Sequence, residues 1–434
     1  MTRTTHSAKK AHGAPAPRKT LLPKPAPALR ARAEASRRSA RVSSSTQNTP
    51  SSSTVPLRYQ SKGNMILITH SGPPLSSQTF CTICHEGTNL IHCETCKSPS
   101  CTLGEPYPHR LMGGCRSREN TSTVDSSPTI FLSFVLAGTD IAGSPDRVAY
   151  HSTHTYFQGN LALIEVHFDF SEGTAAVSRM VSKLVSILES NEFKGFNRFM
   201  VSVTSHSDPT RGDLHTEPED GGSASVTEVL DFLLPSTLCS VLTRGEGHRN
   251  LFFLFTCGAA VQIAESRQQL REFAKRGMFS EVIAFDQARL MRSFVNPWFC
   301  DAVRSVFVLG RKSVGGTLHG HHLFGSHSGL VVFTAAATAT YTWSHPVRQP
   351  FGVPHSPQCP KCMRVGSLKK QRLTQHINRK QVAVDWGTAH YIVCSKSPCD
   401  YSRLFTFPEG ASWLDGRHPT DDASGGWIKT VVKS

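Results

Sequence analysis

Between residues 155 and 345, short apolar runs alternate with stretches whose apolar residues recur at helical spacing. The apolar runs lie at residues 161–170, 198–205, 251–255 and 281–285. Short runs of this kind are typical of buried strands, whereas the spacing of Val, Met, Leu and Ile over residues 177–188 is typical of an amphipathic helix. Strands that alternate with helices form a mainly parallel sheet with helices on both faces. The pattern therefore predicts an α/β domain over residues 155–345.

Polar residues mark two helix starts in the same region. Ser225 stands three residues before Glu228, which is the capping-box spacing that opens a helix. Asn296 followed by Pro297 is a favoured cap and first-turn pair, so it predicts the start of another helix. Residues 116–150 are interpreted as a transitional segment in which FLSFVLAG could form one strand.

Two chemically reactive side chains follow apolar runs of this predicted sheet. Cys257 follows LFFLFT and precedes Gly258, and His206 follows RFMVSVTS. Because catalytic groups in open α/β sheets collect beyond the carboxyl ends of parallel strands, we expect the two side chains to share one site. A thiol with a nearby imidazole base is the combination that nucleophilic catalysis requires. The alternative is that Cys257 is a small buried core residue and His206 an ordinary loop histidine.

The two aspartates after His206 and the two remaining unclustered cysteines are interpreted as structural residues. Asp208 and Asp213 could orient an imidazole or select a basic side chain, but the Asp-Pro and Gly-Asp steps in which they stand favour turns. Cys239 and Cys300 are interpreted as packing residues.

Positive charge is concentrated at the start of the chain. The formal net charge is +15, and residues 1–41 hold eleven Lys and Arg with a single Glu, which accounts for +10 of it. This Pro-, Ala- and Ser-rich stretch cannot bury enough apolar surface to offset the entropy of ordering, so residues 1–58 are predicted to be a disordered basic tail. The tail is interpreted as a solvated segment, a transit peptide, or a nuclear address or arm that binds nucleic-acid phosphates.

The thirteen cysteines are unevenly distributed, since ten of them form two compact clusters with CxxC spacing. With no apolar core of a signal peptide, this distribution favours an intracellular protein, nuclear or cytoplasmic, with zinc sites over a disulfide scaffold. No apolar run approaches the roughly 18 residues that a membrane-spanning helix requires, so we expect no membrane partner.

The first cluster predicts a zinc finger over residues 78–116. Its candidate ligands are Cys81, Cys84, Cys93, Cys96, Cys101 and Cys115. Paired CxxC knuckles place two thiolates on each tight turn, and two knuckles complete a tetrahedron around zinc. The phrase FCTICHEGTNLIHCETCKSPSC resembles the start of a PHD-type finger, with Cys101 at the position where that family usually has His. Because no further CxxC pair follows, the module holds one zinc ion or two, and we expect a structural finger or protein-interaction surface.

The second cluster predicts another zinc module over residues 355–408. Its candidate ligands are Cys359, Cys362, Cys394 and Cys399. The two knuckles and the basic insert between them, SLKKQRLTQHINRKQ, resemble a zinc ribbon, so the chain is expected to bind two or three zinc ions in all. The insert is a solvated hairpin or a surface that attracts nucleic-acid phosphates. Residues 409–434 are predicted to be a polar C-terminal tail, with Trp413 and Trp427 as candidate anchors.

Residues 160–312 resemble the caspase-like fold, and its CHAT branch in particular, in the order of their predicted elements. That order is a strand followed by His, a loop, a capped helix, a strand followed by Cys-Gly, a helix, a strand and a helix. SHSD at 205–208 is similar to that family's Ser-His-Gly turn, and FTCGAA at 255–260 to its Cys-bearing turn. The resemblance implies that Cys257 is a nucleophile, that His206 is its base, and that the backbone N–H groups after His206 and at Cys257 hold the oxyanion. The family's Gly after the His is Ser207 here, which would carry a strain if that backbone required a positive φ.

Two function hypotheses follow from the sequence. In the first, the protein is a caspase-like cysteine peptidase that cuts a peptide substrate with Cys257 and His206, and zinc modules bring it to protein partners. In the second, the α/β domain is a catalytically inactive scaffold, and the zinc modules and basic tail bind protein or nucleic acid. The two differ on whether Cys257 is an exposed, reactive thiolate or an inert buried thiol.

Overall fold

The computed structural model describes residues 16–21, 54–61, 63–70, 90–92, 99–101, 125–157, 159–244, 249–371, 374–377, 380–383, 389–414, 416 and 425–433. For residues 54–59, 61, 90–92, 99–101, 374–377 and 380–383, the description extends to the backbone only. The predicted zinc finger at 78–116 therefore lies outside the described residues, apart from the backbone of two short strands.

The described residues form strands and helices in the following order along the chain. The strands are β1 (Thr54–Ser61), β2 (Asn64–His70), β3 (Leu90–His92), β4 (Pro99–Cys101), β5 (Thr129–Leu136), β6 (Leu161–Phe168), β7 (Arg198–Thr204), β8 (Leu214–His215), β9 (Ser223–Ala224), β10 (Leu251–Phe255), β11 (Glu281–Phe285), β12 (Leu330–Phe333), β13 (Ala337–Ser344), β14 (Leu368–Gln371), β15 (Thr374–Ile377), β16 (Lys380–Ala383), β17 (Ala389–Cys394), β18 (Ser402–Thr406), β19 (Ala411–Trp413) and β20 (Gly426–Lys433). The α-helices are α1 (Pro145–Phe157), α2 (Thr174–Leu188), α3 (Val226–Leu233), α4 (Ser236–Leu242), α5 (Ala259–Gln262), α6 (Ala264–Lys275), α7 (Arg292–Val303) and α8 (His322–His327).

One large mixed sheet organises the described chain. Its eleven strands lie in the order β1-β2-β6-β5-β7-β10-β11-β12-β13-β20-β19. The central strands β6, β5, β7, β10 and β11 are parallel to one another. Antiparallel strands extend this centre on both sides. The predicted α/β class is confirmed, but the prediction of a mainly parallel sheet holds only for the centre.

Helices cover both faces of the central strands, which explains why their sequences are almost wholly apolar. All eight residues of β5 are buried. Along β5, Ile130 and Leu132 pack in the same cluster as Val177 of α2 and Phe273 of α6. Phe131 points the other way and joins the residues of α1 and α7. The sheet is therefore the middle layer of three.

Two helix starts show how local signals compete with packing. Ser225 caps α3 by accepting from the Glu228 N–H, and the reciprocal bond completes the predicted capping box. The predicted start at Asn296 is wrong, because α7 begins at Arg292 and Pro297 lies inside it. The Asn296 side chain instead donates to the Gly143 carbonyl, 3.0 Å away, and joins α7 to the loop before α1.

The large sheet includes strands that lie outside residues 155–345, the range predicted for the α/β domain. β5, in the segment interpreted as transitional, is a central strand, and β20, in the predicted polar tail, pairs with β13 over its whole length. Trp427 and Ile428 are buried there and anchor the strand, whereas Val431 and Val432 of the same strand are exposed. Within the predicted disordered tail 1–58, residues 16–21 contact the domain and Thr54 begins β1.

The second cysteine cluster belongs to a module built on a small antiparallel sheet of β14, β17 and β18, in which Cys394 ends β17 and the other three cysteines lie in the adjoining loops. Its core consists of Phe351, Cys359, Leu368, Ile392, Phe405 and Ile428. Ile428 belongs to β20, so this module packs against the edge of the large sheet. Among the helices that the structure describes, none is long and apolar enough to cross a membrane.

Candidate functional site

The pairing of β7 with β10 brings His206 and Cys257 to the same level. Thr204 and Phe255 form the last register pair of these parallel strands, and each candidate residue stands two positions further on. The Ser205 N–H still donates to the Phe255 carbonyl at 3.3 Å, so the two chains remain side by side. Paired residues of parallel strands have their side chains on the same face of the sheet. The register therefore directs His206 and Cys257 into one space.

That space is a cleft of about 200 Å³ at the carboxyl ends of β7 and β10. The cleft is lined by Thr139, Pro145, Thr204, Ser205, His206, Phe255, Thr256, Cys257, Arg289, Leu290, Arg292 and Val295. His206 is exposed and Cys257 is half-buried. The predicted pair is thus brought together in a concave site at the position where α/β sheets bind ligands.

Close packing fixes the turn that carries Cys257. The Gly258 N–H donates to the Gln287 carbonyl at 2.8 Å. A Cβ on Gly258 would lie 2.2 Å from the Asp286 carbonyl oxygen, so only glycine fits there. Asp286 is itself held by the Gly329 N–H, which donates to its Oδ1 at 2.6 Å. The loop after β11 therefore sets the position of the cysteine turn.

Ser207 joins the two strand ends directly. Its hydroxyl donates to the Cys257 carbonyl at 2.9 Å. The non-glycine residues with positive φ in the described chain are Glu219, Asp220, Phe351 and Met363. Ser207 is not among them, so a serine in place of the family's glycine introduces no left-handed strain at this turn. The side chain instead adds a contact that glycine could not make.

The short hairpin of β8 and β9 contacts His206. The His215 N–H donates to the His206 carbonyl at 3.0 Å, and the two imidazole centroids lie 5.8 Å apart. The His215 ring is anchored by Asp220, whose Oδ1 lies 3.0 Å from Nδ1. Burial lowers the pKa of His215 despite that carboxylate. A neutral His215 places no full positive charge beside the His206 ring.

Two backbone N–H groups at the strand ends lack acceptors. In the part of the chain that the structure describes, neither the Ser207 nor the Cys257 N–H has a hydrogen-bond partner. Unpaired N–H groups beside a nucleophile are the donors that stabilise a developing oxyanion. These are the two positions to which the resemblance assigns that role.

The two aspartates after His206 have different environments. Asp208 Oδ1 accepts from the Thr210 and Arg211 N–H groups, both at 2.9 Å, and so closes a tight turn. Burial raises the pKa of Asp208, but these hydrogen bonds outweigh it and leave the pKa below its usual value. Asp213 binds Arg211 at 2.9 Å and Arg18 at 3.5 Å. The contacts of both carboxylates are therefore with the turn and its arginines rather than with the His206 ring.

Cys239 and Cys300 are packing residues, as the sequence predicts. Both lie against the apolar cores, and burial raises the pKa of each thiol. The Cys239 Sγ donates to the Leu234 carbonyl at 3.1 Å. These two thiols are internal references for the reactivity of Cys257.

The sequence interpretation did not identify two arginines of the cleft. Arg289 and Arg292 lie between β11 and the first turn of α7. Arg292 donates to the Asp140 carbonyl, whereas Arg289 is exposed and has no ion pair among the described residues. None of the described carboxylates lines the cleft, so its charged groups are cationic. Only the sheet topology brings this loop beside His206 and Cys257.

A second candidate site is formed by four cysteines. The ligand atoms of Cys359, Cys362, Cys394 and Cys399 all lie within 4.8 Å of one another. The Sγ atoms of Cys359 and Cys399 are 3.6 Å apart, as are those of Cys362 and Cys394. A tetrahedral Zn²⁺ with Zn–S bonds of about 2.3 Å separates its sulfurs by about 3.8 Å. The cluster therefore fits a zinc-ribbon-like site.

The backbone around these cysteines forms two knuckles. The Met363 N–H donates to the Cys359 carbonyl at 2.8 Å, and the Cys399 N–H donates to the Lys396 carbonyl at 2.7 Å. A hydrogen bond with the Ser367 side chain, together with the neighbouring thiols, lowers the pKa of Cys394. At Cys399, a backbone hydrogen bond with Tyr401 is outweighed by burial and the neighbouring thiols, which raise the pKa of that thiol. The thiolate form is the one that binds zinc.

Among the described residues, these four cysteines are the group of His, Cys, Asp or Glu side chains whose ligand atoms lie close enough together to hold a metal ion. The ligands predicted in the first cluster lie outside the described residues, except for the backbone of Cys101. The second zinc site is therefore supported by geometry, and the first stays a prediction.

No protein-family model and no curated protein matches the sequence of this chain.

Proposed function

We propose that the α/β domain is a caspase/CHAT-like cysteine peptidase in which Cys257 is the nucleophile and His206 its base. The observation that carries the proposal is that both side chains stand two residues beyond the same register pair and line one cleft. A cysteine used only for packing would lie against the apolar core, as Cys239 does, and would have no imidazole in the same cleft.

The residues present can carry out each step of peptide hydrolysis. His206 accepts the Cys257 proton as the sulfur forms a bond to the substrate carbonyl carbon. The N–H groups of Ser207 and Cys257 donate to the oxygen that becomes negative. His206 then returns the proton to the leaving amine as the C–N bond breaks. Water attacks the thioester, with His206 taking its proton, and releases the acid and the thiol.

The charges of the cleft favour an acidic substrate. Arg289 has no carboxylate partner in the described chain, and Arg292 lies on the same rim. An Asp or Glu side chain next to the scissile bond would supply that partner in a bidentate geometry. We therefore propose that the enzyme cuts peptides beside an acidic residue.

The four clustered cysteines are proposed to hold one structural zinc ion. Four protein sulfurs fill a tetrahedron and leave no position for water, which is the arrangement of structural rather than catalytic sites. Lys369, Arg364 and Arg403 are exposed on the same module. They give it a positive surface that suits an acidic protein segment or nucleic-acid phosphates.

The proposed activity is tested by incubating the zinc-loaded full chain with a complex peptide library and identifying new N-termini by mass spectrometry. We expect cleavage beside Asp or Glu that Cys257→Ala abolishes and that the matched variant Cys239→Ala retains. Cleavage that survives in Cys257→Ala, or no cleavage by the folded wild type, contradicts the proposal. The second result would favour the scaffold hypothesis.

A further inference from the structure

Residues 16–21, APRKTL, lie against the hairpin that follows His206. The Lys19 N–H donates to the Ser223 carbonyl at 2.8 Å, and the Ser223 N–H donates to the Pro17 carbonyl at 3.1 Å. These two bonds form a parallel bridge between Arg18 and Ser223. The segment is thus added as a short strand to the free edge of β9, which is a recurrent way to bind a peptide.

The basic side chains of the segment meet buried carboxylates. Lys19 Nζ donates to both Glu217 oxygens, at 2.6 and 2.7 Å, and the Glu217 side chain is only 9% exposed. Arg18 lies 3.5 Å from Asp213, whose side chain is 5% exposed. A carboxylate removed from water requires a cation or several donors. Asp213 already pairs with Arg211 at 2.9 Å, whereas the ion pair of Glu217 in the described chain is with Lys19, so Glu217 makes this surface suited to a basic ligand.

Further contacts hold Ala16 and Leu21 of the segment. The Arg211 guanidinium donates to the Ala16 carbonyl at 2.6 Å. Ala16 and Leu21 are buried, whereas the residues between them are exposed. A Cβ on Gly222 would lie 3.1 Å from the Lys19 side chain, so a larger residue would crowd the lysine. We call the surface formed by Asp213, Glu217, Gly222 and Ser223 the acidic groove.

Hydrogen bonds connect the acidic groove to His206. The Thr216 N–H donates to the Gly222 carbonyl at 2.9 Å, which joins the strand that carries the groove to β8. β8 in turn binds the His206 carbonyl through the His215 N–H. The segment, β9, β8 and the residues after β7 therefore form one small sheet with His206 at its other side.

We propose that the acidic groove is a binding site for a Pro-Arg-Lys peptide, that residues 16–21 are its occupant in the same chain, and that their docking orders the hairpin after His206. The inference concerns a different surface from the cleft, since no groove residue lines the cleft. It does not depend on peptidase activity.

Amide hydrogen exchange of the zinc-loaded full chain tests the docking. In the wild type, the amides of Lys19 and Ser223 should be protected. In the double variant Arg18→Glu/Lys19→Glu, we expect these amides and that of His215 to exchange at least about tenfold faster, since charged hydrogen bonds are lost. Lys194→Glu reverses an exposed charge elsewhere and should change none of them. Protection of the β10 amides verifies that each variant is folded.

A synthetic peptide of residues 14–22 then tests the binding site. Added to the double variant, the labelled peptide should bind saturably and restore protection at Ser223, and a further Glu217→Gln change should weaken its binding at least about tenfold. An unprotected Lys19 amide in the wild type would overturn the proposal. So would failure of the peptide to bind the folded double variant, or binding that is indifferent to Glu217→Gln.

Discussion

Asp146→Asn is predicted to stabilise the protein at neutral pH and to remove part of its pH dependence. Asp146 lies in the first turn of α1, next in the chain to the cleft residue Pro145, and is buried. Its Oδ2 accepts from the hydroxyls of Ser133 and Ser202, at 2.8 and 2.9 Å, while its Oδ1 has no hydrogen-bond partner among the described residues. Burial raises the pKa of this carboxyl from 3.8 to about 6 despite the two hydroxyls.

The size of the effect follows from the pKa difference between the folded and unfolded chains. The folded chain keeps the proton at pH values where the unfolded chain has released it, so the free energy of unfolding falls as pH rises from below 3.8 to above 6. A shift from 3.8 to about 6 corresponds to about 3 kcal/mol, of which about 2 kcal/mol falls between about pH 4 and 8. Asparagine does not ionise and so does not lose this stability.

The assay is urea unfolding followed by tryptophan fluorescence at several pH values. The quantity of interest is the free energy of unfolding of Asp146→Asn minus that of the wild type, in which the titration of all other groups cancels. This difference should increase by about 2 kcal/mol from about pH 4 to 8. Ser202→Ala removes a hydrogen bond that lowers the pKa, so its own stability should fall more steeply with pH than the wild type's. A difference that stays flat would refute the raised pKa of the buried Asp146 carboxyl.

Three further predictions concern the two sites. Gly258→Ala should lower the free energy of unfolding by about 1–3 kcal/mol and slow the alkylation of Cys257, because the new Cβ would overlap the Asp286 carbonyl. An unchanged melting temperature and an unchanged alkylation rate would contradict this packing argument. Arg289→Glu should reduce the preference for acidic over neutral peptide substrates at least about tenfold, measured as the ratio of kcat/KM values, and an unchanged ratio would exclude a role in substrate choice. Cys362→Ser should remove one zinc ion per chain by elemental analysis, whereas Cys300→Ser should remove none; equal zinc content in both would refute the four-cysteine site.

The sequence was sufficient to predict four of the five parallel central strands, β6, β7, β10 and β11, and to place His206 and Cys257 just beyond the ends of two of them. Apolar runs with no alternation are typical of strands buried on both faces, and β10 (LFFLF) fits that description. β7 is equally buried, although Ser202 and Thr204 interrupt its apolar run. The cysteine spacing likewise identified the four sulfurs of the second cluster, since a knuckle is a local structure. Both inferences rest on residues close together in the chain.

The parts that the sequence did not predict depend on long-range pairing. Trp427 and Ile428 are the two buried apolar residues of β20, which is too few for the sequence alone to predict a strand of the large sheet. The strand is fixed by its pairing with β13, which is distant in the chain. Residues 16–21 are similar, because Lys19 is stabilised by Glu217 and by the β9 edge rather than by its neighbours in sequence. Arg289 belongs to the cleft only because β11 lies next to β10.

The most direct test of the central claim is the alkylation rate of each free thiol in the folded, zinc-loaded chain, measured by mass spectrometry with iodoacetamide. The comparison is made at about pH 7 between Cys239, Cys257 and Cys300, the three cysteines that lie outside the two cysteine clusters. Cys257 is predicted to react much faster than the other two cysteines, and His206→Ala is predicted to slow the alkylation of Cys257 alone. If Cys257 reacts no faster than Cys239 and Cys300, or if His206→Ala leaves its rate unchanged, the cysteine–histidine pair is not catalytic.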